Sequence, residues 1–351
     1  MEQVIAIVCG AQYGSEGKGA VAAWLADQME DPICVRVGGP NAGHTVVSPA
    51  GITFKLQQVP TGIVWGNLCY IAAGSEIDIP LLEREIAWLQ KNGIQAEKLL
   101  TVDSHATVLT EANQHSETLG QRHGEAGLTA KIGSTGKGVG AARACRIMRE
   151  AKRIKDLLNY PAFNVDNTTA LLSSHLDDGG SVLIEGTQGY GLGLHTRFYP
   201  YCTSGDCRAI DFLAQAGISP WGHLGVLVEP WLVARTYPIR VAGNSGPMLG
   251  ETTWEAIGQP QEHTTVTNKV RRVGAWDIQL VREAIEANGG FQVKFVLTML
   301  DHLFPQLVYE TNYGRIEQVA GEYLDKLEHE IGVSICAVGT GPSCIVKTGR
   351  A

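Results

Sequence analysis

The chain is 351 residues long, 44% hydrophobic and 18% charged, with a formal net charge of −8. Such a composition can bury a full core and excludes a disordered chain, and its acidity argues against a surface built for a nucleic-acid polymer. A small anionic substrate would need local clusters of Arg, Lys and glycine-rich backbone.

The eight cysteines are scattered, with no C-x-x-C and no Cys/His pairing, as in a reduced protein rather than a zinc or disulfide framework. No run reaches the ~18 apolar residues of a membrane span, and no basic region precedes an apolar stretch at the N-terminus. A soluble, cytoplasmic chain is expected, with no membrane partner.

In chain order, Val4–Cys9 reads as a buried parallel strand and runs into Gly10-Ala11-Gln12-Tyr13-Gly14-Ser15-Glu16-Gly17-Lys18-Gly19. A helical pattern follows, with Val21, Trp24 and Leu25 on one face. Strand, glycine-rich turn and helix point backbone N–H groups at a phosphate, and Lys18 adds a point charge. It is not a standard P-loop, because Gln12 stands where that pattern has Gly and Gly19 where it has the metal-binding Ser or Thr. A metal here needs another ligand, and Ser15 is the nearest candidate.

Cys34–Val37 reads as a second strand, ending in Gly38-Gly39-Pro40-Asn41-Ala42-Gly43-His44-Thr45. A tight turn explains two or three such residues but not six ending in His-Thr. Beside a phosphate loop, His44 is a candidate to touch developing charge. Asp78-Ile79-Pro80 opens a scaffold helix with Leu82, Ile86 and Leu89 inward and Gly93 as its stop. Thr110 to Thr129, polar and rich in His, Glu and Gly, reads as a surface excursion. Next, Lys131 to Gly140 sets Ser134 and Thr135 between glycines ahead of Arg143, Arg146 and Arg149, which fits a phosphomonoester site better than a flexible loop.

Val182–Ile184 is a short buried strand running into Glu185-Gly186-Thr187-Gln188-Gly189, the end at which parallel sheets bind ligands. There Gln188 can read a base, or simply be solvated. Tyr199 to Ser204 is a rigid turn presenting the Thr203 and Ser204 hydroxyls. Ala234 to Gly243 reads as strand and turn. Glu262 to Gly274 gathers threonines and cations in a way that favours capture of a carboxylate. Asp277–Asn288 is a helix with Leu280, Val281, Ala284 and Ile285 inward. Val293–Leu300 is a buried strand that delivers Asp301, an acceptor for a purine edge. The final strand, Ile335–Val338, runs into Gly339-Thr340-Gly341-Pro342. With no repeat or low-complexity linker, the expectation is a single domain over 1–351. Its class is α/β: a central, mostly parallel sheet flanked by helices, P-loop-NTPase-like, with loop and helical excursions.

Taken in this order, the loops resemble the adenylosuccinate synthetase family over nearly the whole chain. The family's G-x-Q-W-G-D-E-G-K-G is matched by Gly10 to Gly19, with Tyr13 for Trp and Ser15 for Asp. Its N-A-G-H-T is Asn41 to Thr45. Its K-I-G-T-T-G-R-G-I-G becomes Lys131 to Gly140 with conservative changes, its E-G-A-Q-G becomes Glu185 to Gly189, and its Y-P-Y-V-T-S becomes Tyr199 to Ser204. The resemblance implies a homodimeric C–N ligase in which a nucleoside triphosphate phosphorylates O6 of a purine monophosphate and aspartate displaces that phosphate. It places the donor against Gly14, Ser15, Glu16, Gly17, Lys18 and Gly19, against Gly43, His44 and Thr45, and against Arg271, Met299, Leu300, Asp301, Gly339, Thr340 and Gly341. The monophosphate would meet Ser15, Asn41, Ala42, Ser134, Thr135, Gln188, Thr203 and Lys269, with Arg149 reaching in from the second subunit. Aspartate would be gripped by Thr265, Val266, Thr267, Asn268 and Arg271. Mg²⁺ would be held by Ser15 and the Gly43 carbonyl, and Lys18, His44 and Ser15 would carry the chemistry.

Three departures from the family pattern matter. Ser15 replaces the Asp that in the family takes the N1 proton, and a serine hydroxyl is no general base at neutral pH without help. Its smaller size leaves room for a purine bearing a 2-amino group. Met299 replaces a Lys beside the donor base, making an adenine nucleotide plausible in place of GTP. Lys269 replaces an Arg that also touches the ribose, which would tolerate deoxyribose. A phage-encoded branch of the family, which this chain resembles, carries the Asp-to-Ser change and makes N6-succino-2-amino-2′-deoxyadenylate from dGMP and aspartate. Expected are therefore dGMP, L-aspartate and ATP or dATP as substrates, in the host cytoplasm if the chain is phage-encoded. The alternatives are an ordinary synthetase using IMP and GTP, and a nucleotide-binding regulator that has lost catalysis.

Overall fold

The computed structural model describes residues 3–120, 126–157, 163–223, 225–264 and 268–350. Its frame is a ten-stranded sheet. In chain order the strands are β1 (Val4–Gly10), β2 (Ile33–Arg36), β3 (Cys69–Ile71), β4 (Leu100–Asp103), β5 (Asn164–Asp166), β6 (Val182–Glu185), β7 (Leu227–Arg235), β8 (Lys294–Thr298), β9 (Ile335–Gly341) and β10 (Cys344–Lys347). They lie in the order β10-β9-β8-β7-β1-β6-β2-β3-β4-β5. Every pairing is parallel except β9 with β10, so strands β1 to β9 carry their carboxyl ends to one edge. That is the edge at which such sheets bind ligands.

Alternation along β1 divides the core in two. Ile5, Ile7 and Cys9 pack on one face, with Leu172 of α5 (Thr168–Asp177), Phe212 of α6 (Ala209–Ala216), Val281 and Ile285 of α7 (Ile278–Ala287) and Leu324 of α8 (Tyr313–Ile331). Ala6 and Val8 face the other way, onto Val21 and Leu25 of α1 (Lys18–Gln28) and Leu82, Ile86 and Leu89 of α2 (Ile79–Lys91). A strand covered on both faces reads as an unbroken apolar run. The α2 start is fixed by Asp78, whose carboxylate accepts from Leu81 N at 3.0 Å, an N-cap.

Two expectations need correction. The strand anticipated at Ala234 to Gly243 starts earlier, as β7, Leu227–Arg235, and within the rest of that span only Ile239–Arg240 is strand. Pro230 disguises it, yet Pro230 has only β1 beside it, because pairing with β8 begins at Trp231. The segment from Thr110 is not merely a polar excursion either. It forms α3 (Glu111–Leu119), capped by Thr110 and Asn113, and it buries Glu117 to 4% exposure. That carboxylate accepts from Gly138 N at 2.9 Å and Gly140 N at 2.5 Å, the first amides of α4 (Val139–Met148). A charge taken from water is here offset by bare N–H groups and the helix dipole.

Candidate active site

The loop after β1 is built around Glu16, which is fully buried. Its carboxylate accepts from Gln12 N at 3.0 Å and Gly14 N at 2.7 Å and pairs with Lys18 Nζ at 2.7 Å. The turn needs Gly17, which caps α1 at φ 87°, a left-handed conformation that costs other residues energy. Gln12 binds the loop to β7: its amide donates to Arg235 O at 3.0 Å and accepts from Arg235 N at 3.1 Å. Where a P-loop has glycine, this chain has a side-chain strut.

The loop after β2 brings His44 against α1 so closely that a Cβ on Gly19 would stand 2.6 Å from that of His44. Behind it lies a buried triad. Arg36 Nη1 and His44 Nδ1 both converge on Glu185 Oε1, while Glu185 Oε2 accepts from Thr61 N at 2.7 Å and Thr61 Oγ1 at 2.8 Å. Arg36 also donates to Ala42 O at 2.9 Å, setting the loop that ends in His44. Burial, then the Arg36 charge, depress His44 from 6.5 to about 4, against the opposing pull of Glu185. Burial pushes Glu185 the other way, but the His44 and Arg36 charges outweigh it and hold the carboxyl at about 2. His44 is thus neutral near pH 7, with Nδ1–H donating to the Glu185 carboxylate. Its Nε2 is buried without a partner, and the residue lines a cavity.

That cavity, about 370 Å³, is lined by Gly14, Ser15, Gly17, Lys18, Gly19, Gly43, His44 and Thr45. Arg271, Met299, Asp301, Gly339 and Gly341 complete the lining. Of the expected donor contacts, Glu16 lies beneath the loop rather than on the lining, Leu300 is core, and the Thr340 hydroxyl turns away to Glu310 O at 2.8 Å. Asp301 Oδ1 is buried and unpaired, and burial lifts its carboxyl above the ordinary range against the pull of His302. Arg271 Nη1 donates to Ser15 Oγ, and Arg235 Nη1 to Ser15 O at 3.3 Å. Two arginines therefore hold the residue that replaces the family's Asp. Arg235, Glu262 and His302 also line this cavity, and sequence reasoning gave none of them a role.

A second cavity, about 470 Å³, is lined by Asn41, Ser134, Thr135, Gln188 and Thr203, with Glu117 beside them. These come from four separate loops, and Gln188 sits at φ 63° to enter it. Among the described residues the two cavities share no lining residue but adjoin at the first loop, where a Cβ on Gly14 would stand 3.2 Å from Gln188 Cα. Ser15 lines the first cavity and not the second. Ala42 contributes only its carbonyl, to Arg36. Arg149 is exposed and donates to Ile147 O of its own chain at 2.8 Å. Asn268 and Lys269 are exposed, while Thr265, Val266 and Thr267 lie outside the described residues.

For a divalent metal, Ser15 Oγ and the Gly43 carbonyl are hard oxygens of the kind Mg²⁺ accepts, usually alongside substrate phosphates. Neither neighbouring glutamate is free to join them: Glu16 is engaged by Lys18 and Glu262 by Arg235 at 2.5 Å. Among the described residues no three His, Cys, Asp or Glu side chains group as a metal site. The loop fits an ion that arrives with a nucleotide, whose phosphates supply the negative charge.

A glycine-rich loop at a helix N-terminus, a buried His–carboxylate pair and two adjoining cavities at the carboxyl edge of a parallel sheet define a nucleotide-dependent phosphoryl-transfer class of enzyme. Comparison with known proteins makes this specific. The adenylosuccinate synthetase family model matches residues 7–165 and 162–314. The adenylosuccinate synthetase of Methanocaldococcus jannaschii is 34% identical over 351 residues, covering 97% of this chain and 96% of its own. That of Pyrococcus horikoshii is 34% identical over 341 residues, covering 96% and 95%. Among solved structures, the succinoaminodeoxyadenylate synthetase (PurZ) of cyanophage S-2L, bound to dGMP and to dATP as energy donor, superposes with a TM-score of 0.79 at 27% identity. It covers 99% of this chain and 96% of that one. Fully ligated adenylosuccinate synthetase from Plasmodium falciparum, at TM-score 0.81 and 20% identity over 98% of this chain and 99% of that one, shares the fold. The chain belongs to the adenylosuccinate synthetase family, and it is a C–N bond-forming ligase of purine nucleotide biosynthesis.

Proposed function

We propose that the chain joins L-aspartate to C6 of dGMP, with ATP or dATP as phosphoryl donor, to give N6-succino-2-amino-2′-deoxyadenylate. The observation that carries this reading is Ser15: a hydroxyl held by Arg271 stands where the family's motif has a carboxylate. Removing that charge and bulk beside the first loop favours a purine carrying an exocyclic amine. The S-2L enzyme, solved with dGMP and dATP, adds support. In favour of the second reading, IMP with GTP, stand the archaeal relatives, which are ordinary synthetases.

On this reading the donor's purine lies toward Asp301 and its phosphates over Lys18 and the amides of Gly14 to Gly19. The monophosphate occupies the Asn41–Gln188–Thr203 cavity. Mg²⁺ bound with the donor, near Ser15 Oγ and the Gly43 carbonyl, would neutralise phosphate charge. The γ-phosphoryl group passes to O6 of the acceptor as the N1 proton leaves, releasing ADP or dADP and leaving a 6-phosphoryl purine. Aspartate's amine then attacks C6 and inorganic phosphate departs. His44 Nε2 faces the phosphoryl path: anionic oxygens beside it draw a proton onto the ring, and Glu185 stabilises the resulting imidazolium, a gain realised as charge develops. Arg271 and the segment from Thr265 to Asn268 receive the aspartate carboxylates, and exposed Arg149 serves the neighbouring site of a homodimer. The test is turnover: purified protein with aspartate, offered dGMP or IMP in combination with ATP, dATP or GTP. Turnover of dGMP with an adenine nucleotide is expected, and turnover of IMP with GTP alone overturns the reading.

A further inference from the structure

Arg143, a cation of α4, lines neither of the two large cavities. It leaves α4 toward Glu76, just after β3, and forms a two-pronged pair: Nε to Oε1 at 2.7 Å and Nη2 to Oε2 at 3.2 Å. Such a fork fixes the guanidinium plane and leaves Nη1 outside the pair. Nη1 points at the turn after Thr203, where a Cβ on Gly205 would stand only 2.2 Å from it. Any side chain at Gly205 would displace the guanidinium. Arg143 lines a cleft of about 10 Å³ together with Asn41, Gln188 and Thr203. Those three also line the larger cavity, so the cleft is its inner corner, with room for about one oxygen-sized group. Arg149, the arginine the family motif points to, is exposed and bonded to its own backbone. Of the three arginines after the second glycine-rich stretch, only Arg143 lines this corner.

We infer that Arg143 is a further substrate-binding residue, its Nη1 taking an oxygen of the acceptor nucleotide's 5′-phosphate from within the same chain, with Glu76 as the positioning residue that aims it. The inference rests on the proposed assignment of this cavity to a nucleoside monophosphate, not on which purine it carries. A charge-assisted contact of this kind changes affinity on the order of tenfold to a hundredfold.

The test compares ligands that differ only in the phosphate. Binding of dGMP and of deoxyguanosine is titrated on wild type and on the double variant Glu76→Met/Arg143→Met, which replaces the whole ion pair by apolar side chains of similar length and so leaves no unpaired buried charge. Expected is a tenfold to hundredfold weaker Kd for dGMP with deoxyguanosine unchanged. Equal weakening of both, or no change in either, overturns the inference by making the pair a brace for the fold. Should the double variant not fold, Arg143→Lys decides: it keeps the charge but not the fork, and dGMP alone should weaken. If the protein proves to use IMP, IMP against inosine isolates the phosphate in the same way, so failure of the purine assignment and failure of this inference are read separately.

Discussion

Replacing Glu185 by Gln probes the machinery at its most buried point. The carboxylate is 1% exposed, receives both Arg36 and His44, and is further held by Thr61 at 2.7 and 2.8 Å. Glutamine keeps the shape and one acceptor oxygen but removes the charge. Leaving Arg36 buried without a counter-ion costs about 3–5 kcal/mol. The catalytic loss is separable. Without the carboxylate, His44 charges only at lower pH, so the imidazolium that meets the phosphoryl group is scarcer and less stable, for a fall in kcat of about 10²–10³. Initial rates across pH, with thermal unfolding run beside them, distinguish the two effects. The alkaline limb of the kcat profile should move to lower pH in the variant. A variant that loses stability yet keeps wild-type kcat and an unshifted profile would refute the role given to Glu185 and leave it as scaffold alone.

His44 also predicts how the ligand-free protein responds to acid. With a folded value of about 4 against 6.5, the unfolded chain binds the extra proton between those values. Stability therefore falls as pH drops through that window, by at most about 3 kcal/mol. Melting temperatures from pH 7.5 to 4.5 should decline less in His44→Asn than in wild type, and parallel declines would contradict the assignment. Ser15→Asp should pair with Arg271 and restore the family's carboxylate at the first loop, lowering kcat/KM for dGMP by roughly 10- to 100-fold relative to IMP; an unchanged ratio would remove Ser15 from specificity. Asp301→Asn should weaken the triphosphate donor without altering the affinity of the monophosphate, measured by separate titrations.

The glycine-rich loops and apolar strands were legible because each is a local pattern: β1, β6, α2 and α7 lie within a residue or two of the expected positions. What escaped was set by contacts between distant residues. Gln12 meets Arg235 at a separation of 223 residues, and Arg271 meets Ser15 at 256; no periodicity encodes either. Glu185 stood at an expected strand end, but nothing local named His44 and Arg36 as its partners. Glu117 escaped within the Thr110 to Thr129 stretch because a charge in a polar segment looks solvated until the amides of α4 are placed against it. The one available signal was the glycine-rich N-terminus of α4, which needs an acceptor from elsewhere in the chain.

Substrate choice turns on whether a hydroxyl at the head of the first loop selects a 2-amino purine. The kcat/KM of dGMP against that of IMP, with saturating aspartate and ATP or dATP, measures this without intermediaries. Turnover of dGMP well above that of IMP is the expected result; IMP turned over with GTP while dGMP is left untouched would contradict it.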